Sequence, residues 1–148
     1  MKAYKFSQIC EKICSKSPIL LSGYTCSCYL RNIDDLNSIP ENSNVLFVGC
    51  GAIPSMPILI ADLRKCRVTS MDIDEGMIAI ASSILNKWYN KLPIDLIYMD
   101  GKDADVAKYD IVMCASTIPK TDKCNIKAKC EEAGVRYLIR ATENLWED

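Results

Sequence analysis

The chain of 148 residues has no histidine. Imidazole is therefore excluded as general base and as metal ligand, and any proton transfer falls to Asp, Glu, Tyr, Lys or water. Charge of one sign is also lacking: 18 Lys and Arg stand against 19 Asp and Glu, a formal net charge of −1. A dedicated nucleic-acid surface normally carries a basic stripe, so no nucleic-acid partner is expected. Lys120, Lys123, Lys127 and Lys129 cluster locally and read as a solvated helix face. Long hydrophobic runs are missing too. Stretches such as Ile58–Ala61 and Met77–Ala81 fall far short of the roughly 20 apolar residues of a bilayer span. The opening Met1-Lys2-Ala3-Tyr4-Lys5-Phe6 has no sustained apolar segment and no small-residue cleavage site. The expectation is a cytoplasmic protein without a membrane partner.

Cysteine is the residue present in excess, at nine. The only clusters are Cys10-x3-Cys14, Cys26-x-Cys28 and Cys124-x5-Cys130. None has the C-x2-C spacing of a structural zinc site, so no metal is expected, and the odd count fits reduced thiols better than a disulfide framework. Most of these cysteines read as small hydrophobes.

The length suits one compact domain. Residues 1–40 read as a short helical lead-in: Tyr4, Ile9 and Ile13 share a helical stripe that Ser17-Pro18 breaks, and Pro18–Leu36 is a second, mixed stretch. Residues 41–148 alternate strand and helix. Asn44–Val48 is a continuous apolar run, as in a strand buried on both faces. Ser55–Leu63 is helical, with Ser55 as its cap and Pro57 tolerated in the first turn. Arg67–Met71 is a strand closed by Asp72, Glu75–Trp88 a helix, Ile94–Met99 a strand closed by Asp100, and Asp110–Ala115 a fourth strand. Asn125–Ala133 is helical with Gly134 as its stop, and Val135–Ile139 is the fifth strand. This alternation predicts an α/β, Rossmann-like parallel sheet of order 3-2-1-4-5 with helices on both faces.

The first strand runs into Gly49-Cys50-Gly51-Ala52-Ile53-Pro54. Glycines here let the backbone turn tightly and let a ligand approach closely. Asp72 ends the next strand about 20 residues on, where an acid takes the ribose hydroxyls of a nucleoside. A dinucleotide site prefers a third glycine where this chain has Pro54, so that a helix N-terminus closes on pyrophosphate. S-adenosylmethionine (SAM) has no phosphate and does not need that turn. Asp100 ends the third strand on the adenine side, able to accept from the adenine amino group or to hold the loop that does. The candidate cofactor contacts are therefore Gly49, Cys50, Gly51, Ala52 and Ile53 of the loop, Asp72 with Ile73, Asp100 with Gly101, and Ala115 at the end of the fourth strand. The opposite reading makes both acids solvated loop residues.

Val45–Pro54, Val68–Ala81 and Tyr109–Ala115 together resemble the core of class I SAM-dependent methyltransferases. Phe47-Val48-Gly49-Cys50-Gly51-Ala52-Ile53-Pro54 resembles, more narrowly, the F-V-G-x-G-P-L-P loop of nicotianamine synthases and their archaeal homologues. Leu138-Ile139-Arg140-Ala141-Thr142 is similar to the arginine-ended strand near the C-terminus of that family. The resemblance covers about Tyr29–Thr142 and marks the chain as a truncated relative. Ala52 stands where the family has its first proline, Pro57 is additional, and residues 1–40 are fewer than the family's helical domain. The resemblance implies SAM as cofactor and transfer of its 3-amino-3-carboxypropyl group, or of its methyl group as in the wider superfamily, to a small-molecule acceptor.

Both transfers are displacements at a carbon already activated by sulfonium, so the protein's part is proximity, orientation and exclusion of water. No catalytic residue is assigned. Ser116 and Thr117, after the fourth strand, are substrate contacts or loop caps. Tyr29 and Tyr24 either fold over the cofactor or pack in the core. A non-catalytic module holding SAM or an adenine nucleoside remains an alternative, fed by the short C-terminus after the fifth strand, and an NAD-binding Rossmann protein is another. The 3-2-1-4-5 order puts Val135–Ile139 at a border, shielded only by Arg136, Arg140 and Trp146. Unpaired border groups invite association, so a homodimer through this edge is expected.

Overall fold

A computed structural model describes residue 9 and residues 11–140. The elements are α1 (Pro18–Arg31), α2 (Ile33–Ser38), β1 (Asn44–Val48), α3 (Ser55–Leu63), β2 (Arg67–Asp72), α4 (Glu75–Trp88), β3 (Ile94–Tyr98), β4 (Ile111–Cys114), α5 (Lys120–Ala133) and β5 (Arg136–Ile139). Two 3-10 turns, Gly101–Asp103 and Val106–Lys108, join β3 to β4. All strand pairs are parallel and the sheet order is β3-β2-β1-β4-β5, as expected from the sequence.

Strand periodicity splits the core into two layers. Val45 and Phe47 of β1 face one side, where Met56 and Ile60 of α3, Leu36 of α2 and Cys28 of α1 cover them. Leu46 and Val48 face the other, against Ile126 and Cys130 of α5 and Val106 of the second 3-10 turn. Successive side chains of a strand point to opposite faces, so an unbroken apolar run is what a two-sided sheet requires. Central β1 and β4 are buried throughout Val45–Val48 and Ile111–Cys114, whereas border strands β3 and β5 are only half-buried.

Several boundaries differ from the sequence expectation, for local reasons. Ser55 is the first residue of α3 and not its cap; Pro54 holds that place without a side-chain bond. In α4 the capping falls to Asp74, whose Oδ1 accepts the Gly76 and Met77 N–H groups at 2.9 and 3.2 Å. Helix α5 begins at Lys120, five residues before the expected Asn125, and ends as expected on left-handed Gly134 (φ 68°). Strands β2 to β5 shift by one residue at one or both ends. The mixed stretch Pro18–Leu36 is two helices broken at buried Asn32, whose Nδ2 donates to the Cys28 carbonyl at 2.8 Å.

Two expectations about side-chain burial fail. Ile9 and Ile13 are exposed, so their stripe does not face the core, and Tyr4 lies outside the described residues. Lys123 is half-buried and donates to the Ser116 carbonyl at 2.5 Å, unlike the exposed Lys120, Lys127 and Lys129. Strand β5 is a border, yet the homodimer finds no support in the described residues. Arg136 reaches back to the Ser38 carbonyl at 2.6 Å, Tyr137 packs onto the second core layer, and Trp146 lies outside the described residues. Among those residues no helix is long and apolar enough to cross a membrane.

Two glycines test the packing. A Cβ on Gly101 would meet the Val48 side chain at clashing distance and Ile126 at 3.4 Å, whereas one on Gly23 in α1 meets nothing within 4 Å. Urea denaturation should show Gly101→Ala destabilised by about 1–3 kcal/mol through overpacking. Gly23→Ala should be stabilised by about 0.5–1 kcal/mol through helix propensity. An equal effect at both positions would contradict this packing.

Candidate functional site at the carboxyl edge of the sheet

The turn after β1 depends on its glycines. Gly49 (φ 86°) and Gly51 (φ 64°) are left-handed, a region that side chains with a Cβ disfavour. The residues between and after them turn inward: Cys50, Ala52 and Ile53 are buried. What the turn presents outward is therefore backbone. Gly49 and Cys50 donate to the Met71 carbonyl at 2.8 and 3.2 Å, fastening the turn to β2.

The next two amides are taken by carboxylates. Asp72, the last residue of β2, accepts the Gly51 N–H through Oδ2 at 2.9 Å and the Asp74 N–H through Oδ1 at 3.0 Å. The Ala52 N–H donates at 2.8 Å to Oε2 of Glu11, whose Oε1 accepts the Tyr24 hydroxyl at 3.1 Å. A Cβ on Gly51 would stand 2.7 Å from Glu11 Oε2, and one on Gly49 2.7 Å from Ile118 Cδ1. Both atoms are the far ends of flexible side chains that can shift, so it is the positive φ that calls for glycine here. Burial, reinforced by the Glu11 charge and opposed by Arg140, pushes the Tyr24 phenol well above its usual range.

At the ends of β2 and β3, Ile73 is 66% exposed beside Asp72, and the Met99 N–H donates to the Asp72 carbonyl at 3.1 Å. Asp100 caps the first 3-10 turn, accepting the Lys102 N–H at 3.0 Å and pairing with Lys102 Nζ at 3.3 Å. Lys102 also lies 3.7 Å from Asp122 of α5. Gly101 is buried on Val48. After β4, Ala115 is buried, Ser116 half-buried and Thr117 exposed. Gly49, Gly51, Asp72, Ile73, Asp100 and Ala115 therefore lie at the carboxyl ends of four adjacent strands, the crevice where open α/β sheets bind ligands. Tyr29 sits elsewhere, in a shallow hollow of about 340 Å³ with Ser22, Thr25, Leu59 and Tyr89 between α1 and α3.

Sequence reasoning missed Glu11. It lies 41 positions before Ala52 in a segment without strand or turn signals, so no spacing rule links the two. It also treated Tyr24 as no more than a core or cover residue.

No protein-family model and no curated protein matches the sequence. Solved structures do. MtNAS, a nicotianamine synthase, in complex with S-adenosylmethionine superposes with a TM-score of 0.66 at 18% identity, over 85% of this chain and 51% of that one. The chain has the class I SAM-dependent methyltransferase fold. The glycopeptide N-methyltransferase MtfA with SAM follows at TM-score 0.62 and 16% identity, over 76% and 53%. Magnesium protoporphyrin IX methyltransferase from Synechocystis PCC 6803 with bound SAM gives 0.53 and 20%, over 75% and 51%. The chain spans about half the length of these solved structures.

The described cysteines are all free, and two near the crevice are inert by environment. Burial, then the Asp72 charge, pushes the Cys50 thiol up to about 12, and burial pushes Cys114 up to about 11. At pH 8 only about one part in ten thousand of Cys50 would be thiolate. With a disulfide reagent at that pH, Cys26→Ser should remove one fast-reacting thiol, since Cys26 is exposed, and Cys50→Ser should remove none. Because both pKa values are raised on folding, their contribution to stability is intact below the unfolded value of 9.0 and lost as pH rises above it. Urea midpoints should accordingly fall above about pH 9. Loss of a fast thiol in Cys50→Ser would contradict the inward packing of the turn.

Proposed function

We propose that the chain is a SAM-dependent transferase that binds SAM at the carboxyl edge of the sheet and moves its methyl or 3-amino-3-carboxypropyl group to a small-molecule acceptor. The observation that carries this reading is the occupation of the Gly51 and Ala52 amides by the Asp72 and Glu11 carboxylates. A pyrophosphate needs open N–H donors and a positive potential at this turn. Two carboxylates on it instead oppose an anion and favour a phosphate-free ligand with positive charge. The fold likeness to SAM-bound transferases supports the same ligand.

In this reading the Gly49–Ile53 backbone carries the methionyl end and Asp72 the ribose hydroxyls. The exposed Ile73 side chain lies against adenine, with Asp100, held by the Lys102 N–H, and Gly101 forming the loop on its other side. Bound SAM supplies a carbon made electrophilic by the attached sulfonium. Ala115 closes the floor, and Ser116 and Thr117 meet the acceptor; Tyr29, in its separate hollow, would need to act from outside the crevice. With no histidine, a proton released by the acceptor passes to a carboxylate or to water. The free thiols among the described residues support a reducing, cytoplasmic location.

Thermal denaturation with SAM at about 100 times its Kd should show stability raised by about 2.7 kcal/mol, and NAD at the same concentration should leave it unchanged. Stabilisation by NAD alone would overturn the assignment. Product analysis with amine acceptors then separates the transfers. Methylthioadenosine reports aminocarboxypropyl transfer and S-adenosylhomocysteine methyl transfer, while binding without either product identifies a non-catalytic module.

A further inference from the structure

Glu11 is the part of the crevice that neither a strand end nor the glycine loop supplies. Its carboxylate rests on the ligand-facing side of the turn. Oε2 takes the Ala52 N–H at 2.8 Å and lies 2.7 Å from where a Gly51 Cβ would stand, while the opposite side of the turn is packed by Cys50, Ala52 and Ile53. Tyr24 fixes the other oxygen at 3.1 Å. The lateral position of this pair matters. Asp72 and Asp100 follow β2 and β3 at one side of the sheet, whereas Tyr24 lies within electrostatic reach of Arg140, next to the end of β5 at the other. An adenosyl ligand with its ribose on Asp72 and its base towards β3 directs its sulfur towards β1 and β4. That is the side on which Tyr24, the partner of Glu11, feels the charge of Arg140.

We propose that Glu11 makes this site charge-selective, favouring an adenosyl ligand with positive charge at sulfur over the neutral thioether. The inference rests on the reading of the crevice as a SAM site and names the group that selects the reactive form of that ligand. A sulfonium and a thioether differ by one full charge. Even at about 12 Å, in a half-buried site of effective dielectric near 20, a fixed carboxylate discriminates between them by about tenfold. Either transfer removes that charge from sulfur, so the residue that favours binding before the reaction also favours release after it.

The test is isothermal titration of the full chain with SAM, S-adenosylhomocysteine and sinefungin, an analogue that carries a protonated amine where SAM carries its charged sulfur centre. The wild-type protein should bind SAM and sinefungin about tenfold more tightly than S-adenosylhomocysteine. In Glu11→Gln the three should fall within about threefold of one another, with the homocysteine form no weaker than before. If Glu11→Gln does not fold, Tyr24→Phe, which removes the hydroxyl bond that fixes Glu11 Oε1, should narrow the same preference. A variant that keeps the wild-type preference, or that loses equal affinity for all three ligands, overturns the inference while leaving the SAM site standing. Wild-type protein that binds none of the three overturns the SAM reading itself, and the inference with it.

Discussion

Two neighbouring backbone amides, those of Gly51 and Ala52, are each held by a carboxylate from a distant part of the chain, and the crevice takes its shape from that arrangement. The Asp72 bond locks the turn after β1 to the end of β2, and its second oxygen begins the approach to α4 through the Asp74 N–H. The Glu11 bond draws the segment before α1 onto the same turn. Buried amides left without acceptors would each cost about 1–3 kcal/mol. The two carboxylates therefore stabilise the loop as well as shaping its potential. An acid at the end of β2 is in this respect part of the scaffold, not only a group waiting for a ribose.

The potential follows from the geometry. A glycine turn before a helix is ordinarily an anion site, because its N–H groups point outward and the helix dipole adds to them. Here α3 starts at Ser55 behind Pro54, without a capping side chain, and the amides ahead of it already face carboxylates. The same turn is thereby converted from a phosphate cradle into a neutral-to-negative surface. The cations of the loops after β3 and β4 serve other ends: Lys102 bridges Asp100 and Asp122, and Lys123 holds the Ser116 carbonyl. Both tie loops of the crevice to α5, so that one helix steadies the loops after β3 and β4 together.

The sheet was legible because its signals are local and strong. The run Val45–Val48 reads as a two-sided strand, and the structure buries all four residues in alternate layers. Gly134 marks the end of α5 for the reason expected, a left-handed stop. Where the reading slipped, the chain uses a weaker or non-local device. The start of α5 has Pro119 in place of a capping side chain, so Asp122 of the first turn is the one local sign of a beginning at Lys120. Gly101 shows no motif of its own; it is required by the Val48 side chain across the sheet. Glu11 is legible only through contacts made after folding, since a carboxylate in a helical lead-in reads as an ordinary solvated charge. Tyr137 illustrates the converse: a border strand suggested an exposed edge, yet its ring packs inward on Cys114 and its neighbours.

The central claim is that an adenosyl ligand lies along the carboxyl ends of β1 to β4, and amide chemical-shift mapping during SAM titration tests it most directly. The account predicts the largest shifts at Gly49–Ala52, Ile73 and Met99–Gly101, with smaller ones at Ala115–Thr117. Shifts confined to Ser22, Thr25, Tyr29 and Tyr89, around the hollow between α1 and α3, would contradict it and move the binding site off the sheet edge.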